Sequence, residues 1–225
     1  MLELLQTYHK IECPFKRSLE GSKELLWNRY QNSAVEYLRN DTWIFTEKVD
    51  GTNIRIFWDG YNIEILGRKE NSLIPEFLKE QLNRMFLTDE VEQLFEQQFG
   101  NKEVILFGEG YGNKIQDVGS KYRKDNSFIL FDVMVSGNYQ PRDVVEDIAK
   151  MFNIDIVPIV IEGTIYDAIE YVMSHPKSII SEEDVYMEGL VGHPLVELED
   201  RCGNRVITKI KWKDFEKFAE EKKYL

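Results

Sequence analysis

The run TWIFTEKVDGTNIRIFWDGYNIEILGR, residues 42–68, restricts what this chain can fold into more than any other stretch. Residues 42–48 and 52–58 alternate as half-buried strands do. Asp59 and Gly60 mark a tight hairpin turn, and residues 61–68 return as a third strand. A lysine, Lys48, stands at the junction of the first two runs, two residues before Asp50 and three before Gly51.

The remaining pattern mixes strands and helices along the whole chain. Residues 22–40 read as a helix, and residues 72–99 as a helical period in two pieces, with Ser72 as a cap and Pro75 in the first turn. KEVILFGEGYG, NSFILFDVMV and VPIVIEG read as strands. VVEDIAKMFN and TIYDAIEYVMSH read as helices, the latter capped by Thr164. VYMEGLVGHP and RVITKIKW close the sequence as a strand pair. The expected class is α+β: antiparallel sheets flanked by helices in one domain spanning 1–225.

Composition agrees with an ordinary globular chain of 225 residues, 43% hydrophobic, 30% charged and 12% aromatic. That aromatic content excludes disorder as the general state. Cys13 and Cys202 form neither a disulfide framework nor a zinc-spaced cluster. No apolar run reaches membrane-spanning length, and the N-terminus lacks the pattern of a signal peptide, so a cytoplasmic protein with no membrane partner is expected. Net charge is −12, which opposes broad attraction to nucleic acid. Residues 205–217, RVITKIKWKDFEK, run against that trend with five basic and two acidic residues. A polyanion is therefore expected at a local patch.

Five separated stretches need one joint explanation: EKVDGTN, LGRK, LFGEGYG, SFILFDV with MEGLVGHP, and TKIK. Together they resemble the motifs of the covalent nucleotidyltransferases, the polynucleotide ligases and mRNA capping enzymes, in the family order. Lys48-Val49-Asp50-Gly51 looks like the nucleophile motif. Glu109 lies in the likeness of the third motif, Phe128 in that of the adenine-stacking motif, Glu188 in the fourth, and Lys209 and Lys211 in the fifth. Asn53 stands where DNA ligases and capping enzymes carry arginine, and Arg68 follows Lys48 by twenty residues. Both features resemble the RNA ligase 2 branch. Asp50 departs from that branch, which often has histidine there.

The resemblance implies a nucleotidyltransferase (ATP-grasp-like ligase) domain and three steps. Lys48 attacks the α-phosphate of ATP and expels pyrophosphate. The AMP passes to an RNA 5′-phosphate, and a 3′-hydroxyl then seals the strand and releases AMP. A lysine attacks only when neutral, so burial, neighbouring cations or a metal must favour the free amine. By likeness, Lys48, Asp50, Glu188, Lys209 and Lys211 are the catalytic set. Glu47, Asn53, Arg68, Glu109 and Phe128 are nucleotide-binding, and Glu188 holds Mg2+ or Mn2+. Each has a bland reading beside it: turn residues for Asp50 and Asn53, a surface arginine for Arg68, a core aromatic for Phe128, a solvated edge strand for the two lysines. Phe131 and Trp58 read as core, and His193 as non-catalytic.

The dozen residues after Lys213 suffice for one short helix. No appended OB-fold or sizeable C-terminal domain is therefore expected, and a protein partner is one source of the missing polynucleotide-binding surface. The expected substrate is RNA with 5′-phosphate and 3′-hydroxyl ends, nicked or paired, in RNA repair. The alternatives are a minimal DNA ligase, a GTP-dependent capping-type guanylyltransferase, and a non-catalytic nucleotide- or RNA-binding module.

Overall fold

A computed structural model describes residues 7–19, 23–69 and 72–221. The chain forms two compact units, each assembled from separated stretches. Of the described residues, the first takes in 7–9, 50–157 and 181–183; the second takes 10–49, 158–180 and 184–221. The class is α+β with antiparallel sheets, as the alternation predicts.

The first unit is built on a six-stranded sheet. Its path runs Ile63–Gly67, Thr52–Trp58, Val104–Gly112, Asn126–Val135 and Asn138–Tyr139, every neighbour antiparallel. Asp155–Ile156 adds to Asn126–Val135 in parallel. Asp59 holds the predicted hairpin turn by accepting the backbone N–H groups of Tyr61 and Asn62, each at 2.7 Å. Ile54, Ile56, Leu106, Phe128 and Leu130 share one sheet face and pack against three helices. Helix Glu76–Phe86 buries Leu78, Leu82 and Phe86 at helical spacing. Helix Asp89–Phe99 is capped by Thr88 and begins with three acidic residues that complement its positive end. Helix Arg142–Phe152 buries Val145, Ile148, Ala149 and Phe152.

Ser72 does not cap the first of these helices. Its hydroxyl instead accepts from the Lys69 backbone N–H at 2.9 Å, and the helix begins after Pro75. Proline lacks an N–H and fixes φ, so it defines the start without a side-chain cap.

The second unit has a four-stranded antiparallel sheet in the order Ile159–Gly163, Trp43–Glu47, Gly189–Pro194 and Thr208–Lys211. Trp43, Phe45, Leu190 and Ile210 face a core closed by helices Ile165–Met173 and Trp212–Glu221. Thr164 forms a reciprocal capping box with Asp167. Residues 22–40 depart from the predicted helix. Leu25–Tyr30 pairs as a strand with Phe15–Arg17, and only Ser33–Tyr37 is helical. The aromatic rings decide this: Phe15 lies 5.4 Å from Trp27 and 5.1 Å from Tyr30, and Trp27 lies 5.1 Å from Phe218. Packing on a distant helix outweighs a local helical preference worth a few tenths of a kcal/mol per residue, about 0.7 at most.

Cys13 is buried, Cys202 is exposed, and both are free thiols. Among the described residues no helix is long and apolar enough to cross a membrane.

Gly108 tests the packing of the six-stranded sheet. A Cβ there would stand 2.3 and 2.4 Å from ring carbons of Phe128 and 2.5 Å from the Ile129 carbonyl oxygen. The ring can shift but the backbone oxygen cannot, so Gly108→Ala is expected to lose about 1–3 kcal/mol of stability. Urea unfolding should show a lower midpoint at unchanged slope, and an unchanged midpoint would contradict this packing.

Candidate active site

Strand register decides which side chains of the second unit face its core and which face away. Glu47, Leu190 and Ile210 are aligned across three strands, and all are buried. The neighbouring row aligns Thr46, Val191 and Lys209 on the other face, and Lys211 pairs with Gly189 on that same face. Lys48 extends the first strand by one step, its N–H donating to the Gly189 carbonyl at 2.9 Å. Lys48, Lys209 and Lys211 therefore share one face, while Glu47 turns inward.

Glu188 precedes the Gly189–Pro194 strand and sits among these lysines. Its carboxylate accepts from Lys48 Nζ at 2.7 Å through one oxygen and from Lys211 Nζ at 2.5 Å through the other. All three side chains are largely covered, with 16–23% of their surface exposed. Burial pushes the Glu188 carboxyl upward, but Lys48 and Lys211 outweigh it and hold the group below the usual carboxylate range. Burial, with the charges of Lys48 and Lys211, pushes the Lys209 amine below the usual lysine range. Three lysines around one glutamate leave an excess of positive charge suited to a polyphosphate. The predicted catalytic lysines and Glu188 are thus brought together. Among the described residues no three of His, Cys, Asp or Glu gather to hold a metal ion.

Glu47 belongs elsewhere. Its carboxylate accepts from the Ser178 hydroxyl at 2.5 Å and the Ile179 N–H at 2.8 Å, with only 1% of the residue exposed. Burial raises this carboxyl above its ordinary range, although both hydrogen bonds act the other way. The side chain is a structural anchor; the nucleotide contact that the resemblance implies at this position is one of the backbone. His193 lies beside Glu197 at 3.3 Å.

The first unit carries the other predicted set. Asn53, Glu109 and Ile129 align across three strands on the face opposite the helices. Asn53 Oδ1 is buried and has no hydrogen-bond partner among the described residues. Gly51 passes so close to this row that a Cβ would lie 2.6 Å from the Gly110 carbonyl oxygen and 3.2 Å from Glu109 Oε2. Only glycine fits there. Asp50 is half-buried, and its N–H donates to the Tyr122 hydroxyl at 3.4 Å. Arg68 is exposed just past Ile63–Gly67; the register that pairs Ile54 with Gly67 leads next to Asn53 and Arg68.

Phe128 requires a correction. It pairs with Gly110 and therefore points to the helix-packed face, away from Glu109 and Asn53. Its ring is fully buried, edge-on to Phe86 at 5.2 Å. It is a core residue, with no surface to offer a base. A bulge at Phe107/Gly108 leaves Phe131 unpaired and half-buried, 4.9 Å from the Tyr8 ring. Phe131, expected in the core, is the motif's partly open aromatic; Trp58, 1% exposed, is core as expected.

Three further residues shape this face. Arg55 follows Asn53 by two and is buried, donating through Nε to the Gly67 carbonyl at 2.9 Å. The strand alternation already places it beside Asn53. Gln116 donates to the Gly51 carbonyl at 3.0 Å, and Tyr122 meets Asp50. These two lie 65 and 72 residues from their partners, and no local pattern reveals them.

Comparison with known proteins follows the same elements. A family model described as RNA ligase matches residues 41–211. A Naegleria gruberi RNA ligase with pyrophosphate is 21% identical at a TM-score of 0.61, covering 94% of this chain and 62% of that one. A lysine-to-alanine mutant of Naegleria gruberi RNA ligase with ATP and Mn is 20% identical at 0.58, covering 94% and 60%. An apo lysine-to-alanine mutant from the same organism is 20% identical at 0.60, covering 84% and 54%. The chain thus spans less than two thirds of the length of these structures, and at such identities the likeness shows the fold. No curated protein matches the chain.

The buried Glu47 carboxyl gives a pH test. A carboxyl raised by folding contributes stability below its unfolded value and loses it as pH rises through the folded value. Gln at this position keeps an acceptor for Ile179 and a donor for Ser178 but does not titrate. Thermal unfolding from about pH 4 to pH 8 should therefore show wild type losing ground to Glu47→Gln as pH rises. A difference that moves the other way would contradict the assignment.

Proposed function

The chain belongs to the RNA ligase family, and from that premise we propose that it is an ATP-dependent RNA ligase working through a covalent lysyl-AMP on Lys48. The observation that carries this reading is the Lys48–Glu188–Lys211 cluster, in which one carboxylate holds two amines on the sheet face shared by Lys209.

In the first step Lys48 Nζ, freed of its extra proton, forms a bond to the α-phosphorus of ATP. The bond from that phosphorus to the bridging oxygen breaks, and pyrophosphate leaves with the electron pair. Lys209 and Lys211 balance charge on the phosphate oxygens, the dominant need in such a transfer. A 5′-phosphate oxygen of RNA then attacks the AMP phosphorus, and a phosphoanhydride forms as the P–N bond breaks and its electron pair returns to Lys48 Nζ. A 3′-hydroxyl attacks the 5′-phosphate and AMP departs.

In the first unit, Glu109 is assigned to the ribose hydroxyls and Asn53 to a ribose or phosphate contact. The unpartnered Oδ1 of Asn53 supports a role toward a ligand, since a buried polar atom ordinarily finds a partner. Asp50 positions the nucleophile or the acceptor end, and Arg68 is assigned to phosphate. Glu188 is assigned to Mg2+ or Mn2+, which commonly keeps one or two protein carboxylates and completes its shell with water and phosphate oxygens. Such an ion, when bound, would neutralise phosphate charge. Polynucleotide would be received at the basic patch of Lys209, Lys211 and Lys213, with a protein partner as one source of added surface. A chain of net charge −12 then binds RNA only weakly at high salt.

Incubation with α-labelled ATP and Mg2+ or Mn2+ tests the reading. Wild type should acquire a covalent AMP label, and Lys48→Ala should acquire none. Glu188→Ala and Lys211→Ala should each fall by about 10²-fold or more, as loss of a charge-stabilising group does. Label from GTP in place of ATP would favour the capping chemistry, and sealing of DNA but not RNA nicks a DNA ligase. Absence of any adduct on the wild-type protein would overturn the proposal.

A further inference from the structure

Three chemistry-bearing residues of the second unit come from three different stretches: Lys48, Glu188 and Lys211. One short segment, SHPKSII at residues 174–180, touches the immediate neighbours of all three. Ser178 and Ile179 hold the carboxylate of Glu47, the residue before Lys48. The His175 ring lies between Tyr186, two residues before Glu188, and Trp212, the residue after Lys211. Its centroid is 3.9 Å from the first and 3.8 Å from the second, with interplanar angles of 19° and 3°.

The backbone reinforces this arrangement. Ser178 N–H donates to the Val185 carbonyl and Met187 N–H to the Pro176 carbonyl, both at 2.9 Å. Trp212 N–H donates to the Glu188 carbonyl at 3.0 Å, closing the link between the two outer arms. Lys177 Nζ sits 3.6 Å above the Tyr186 ring and 3.2 Å from Asp184, which holds the exposed end of the stack. His175 itself has φ +52°, a left-handed conformation rare for a residue other than glycine. Such strain persists only where surroundings over-determine it.

We infer that segment 174–180 is a brace that fixes Lys48, Glu188 and Lys211 relative to one another, with His175 and Ser178 as positioning residues for nucleotidyl transfer. Neither side chain hydrogen-bonds the lysine–glutamate cluster; each acts through a neighbour. The physical warrant is alignment. A phosphoryl acceptor must meet phosphorus in line, and displacing a reacting group by about an ångström costs on the order of 10²-fold in rate. A salt-bridged cluster of flexible side chains on three separate stretches keeps its geometry only if the backbones beneath are held together.

The inference rests on the lysyl-AMP reading, and two measurements separate the fates of the two. The first is the single-turnover rate of Lys48 adenylylation for wild type, His175→Asn, His175→Phe and Ser178→Ala. Asparagine tolerates the left-handed backbone but removes the ring; phenylalanine restores a planar ring. His175→Asn and Ser178→Ala should each slow the rate by about ten-fold or more at saturating ATP, with the half-saturating ATP concentration unchanged within about two-fold. His175→Phe should recover most of the loss. Rates within about two-fold of wild type, or a loss confined to ATP affinity, would overturn the brace.

The second measurement needs no chemistry. In His175→Asn, amide hydrogen exchange should quicken at Lys48 and Trp212 and stay unchanged in the six-stranded sheet of the first unit. Unchanged protection at both amides overturns the inference even if wild type forms no adduct, whereas a missing adduct with lost protection overturns only the assigned reaction.

Discussion

The antiparallel pairing of Trp43–Glu47 with Gly189–Pro194 is the constraint on which the catalytic cluster depends. Its register aligns Glu47 with Leu190 and carries one step further, through the Lys48 N–H bond to Gly189. A slip by a single residue would turn Lys48 into the core and put Glu47 on the amine-bearing face, because strand side chains alternate. The inward row is dense enough to forbid that. Phe45 and Trp43 are fully buried, and a Cβ on Gly192 would stand 2.2 Å from the Phe45 ring. Core packing thus selects the side of the sheet from which the lysines emerge.

Charge is arranged around this frame with the same economy of partners. Glu188 is shared by two amines, so neither oxygen of a largely covered carboxylate is left without a cation. Glu47 solves a different problem, an acid on the core side, by accepting a hydroxyl and a backbone N–H. Two adjacent acidic and basic residues, Glu47 and Lys48, therefore have unrelated environments. The segment that satisfies Glu47 also stacks His175 between Tyr186 and Trp212, so packing, hydrogen bonding and the placement of reacting groups are joined in one stretch.

Much of this is legible in the sequence where the signal is local. The Trp43–Glu47, Thr52–Trp58 and Ile63–Gly67 strands, the turn at Asp59-Gly60 and the Thr164 cap all follow from alternation and turn chemistry. Lys209 and Lys211 sharing a face follows from their spacing of two. The failures have a common cause. Residues 25–30 form a strand because distant aromatic rings pack on them, and Phe128 is buried because a helix-bearing sheet face claims its ring. The bulge that exposes part of Phe131 depends on the pairing of two strands, and neither strand alone encodes its position. Gln116 and Tyr122 are unreadable for the same reason: a turn and a four-residue helix, Gly119–Tyr122, carry too short a period for an endpoint to be inferred.

The sequence by itself determined the α+β class, the strands that flank Lys48 in the chain and the residue types needed for nucleotidyl transfer. Those depend on side-chain alternation, short turns and the chemistry of individual groups, all of which are local. Only the tertiary structure decided that Glu188 bridges Lys48 and Lys211, that Glu47 is a buried anchor, and that Phe128 lies on the core face. Each is a relation among residues as many as 140 positions apart. Pairing register and core packing fix such distances, and neither can be read from one segment of chain.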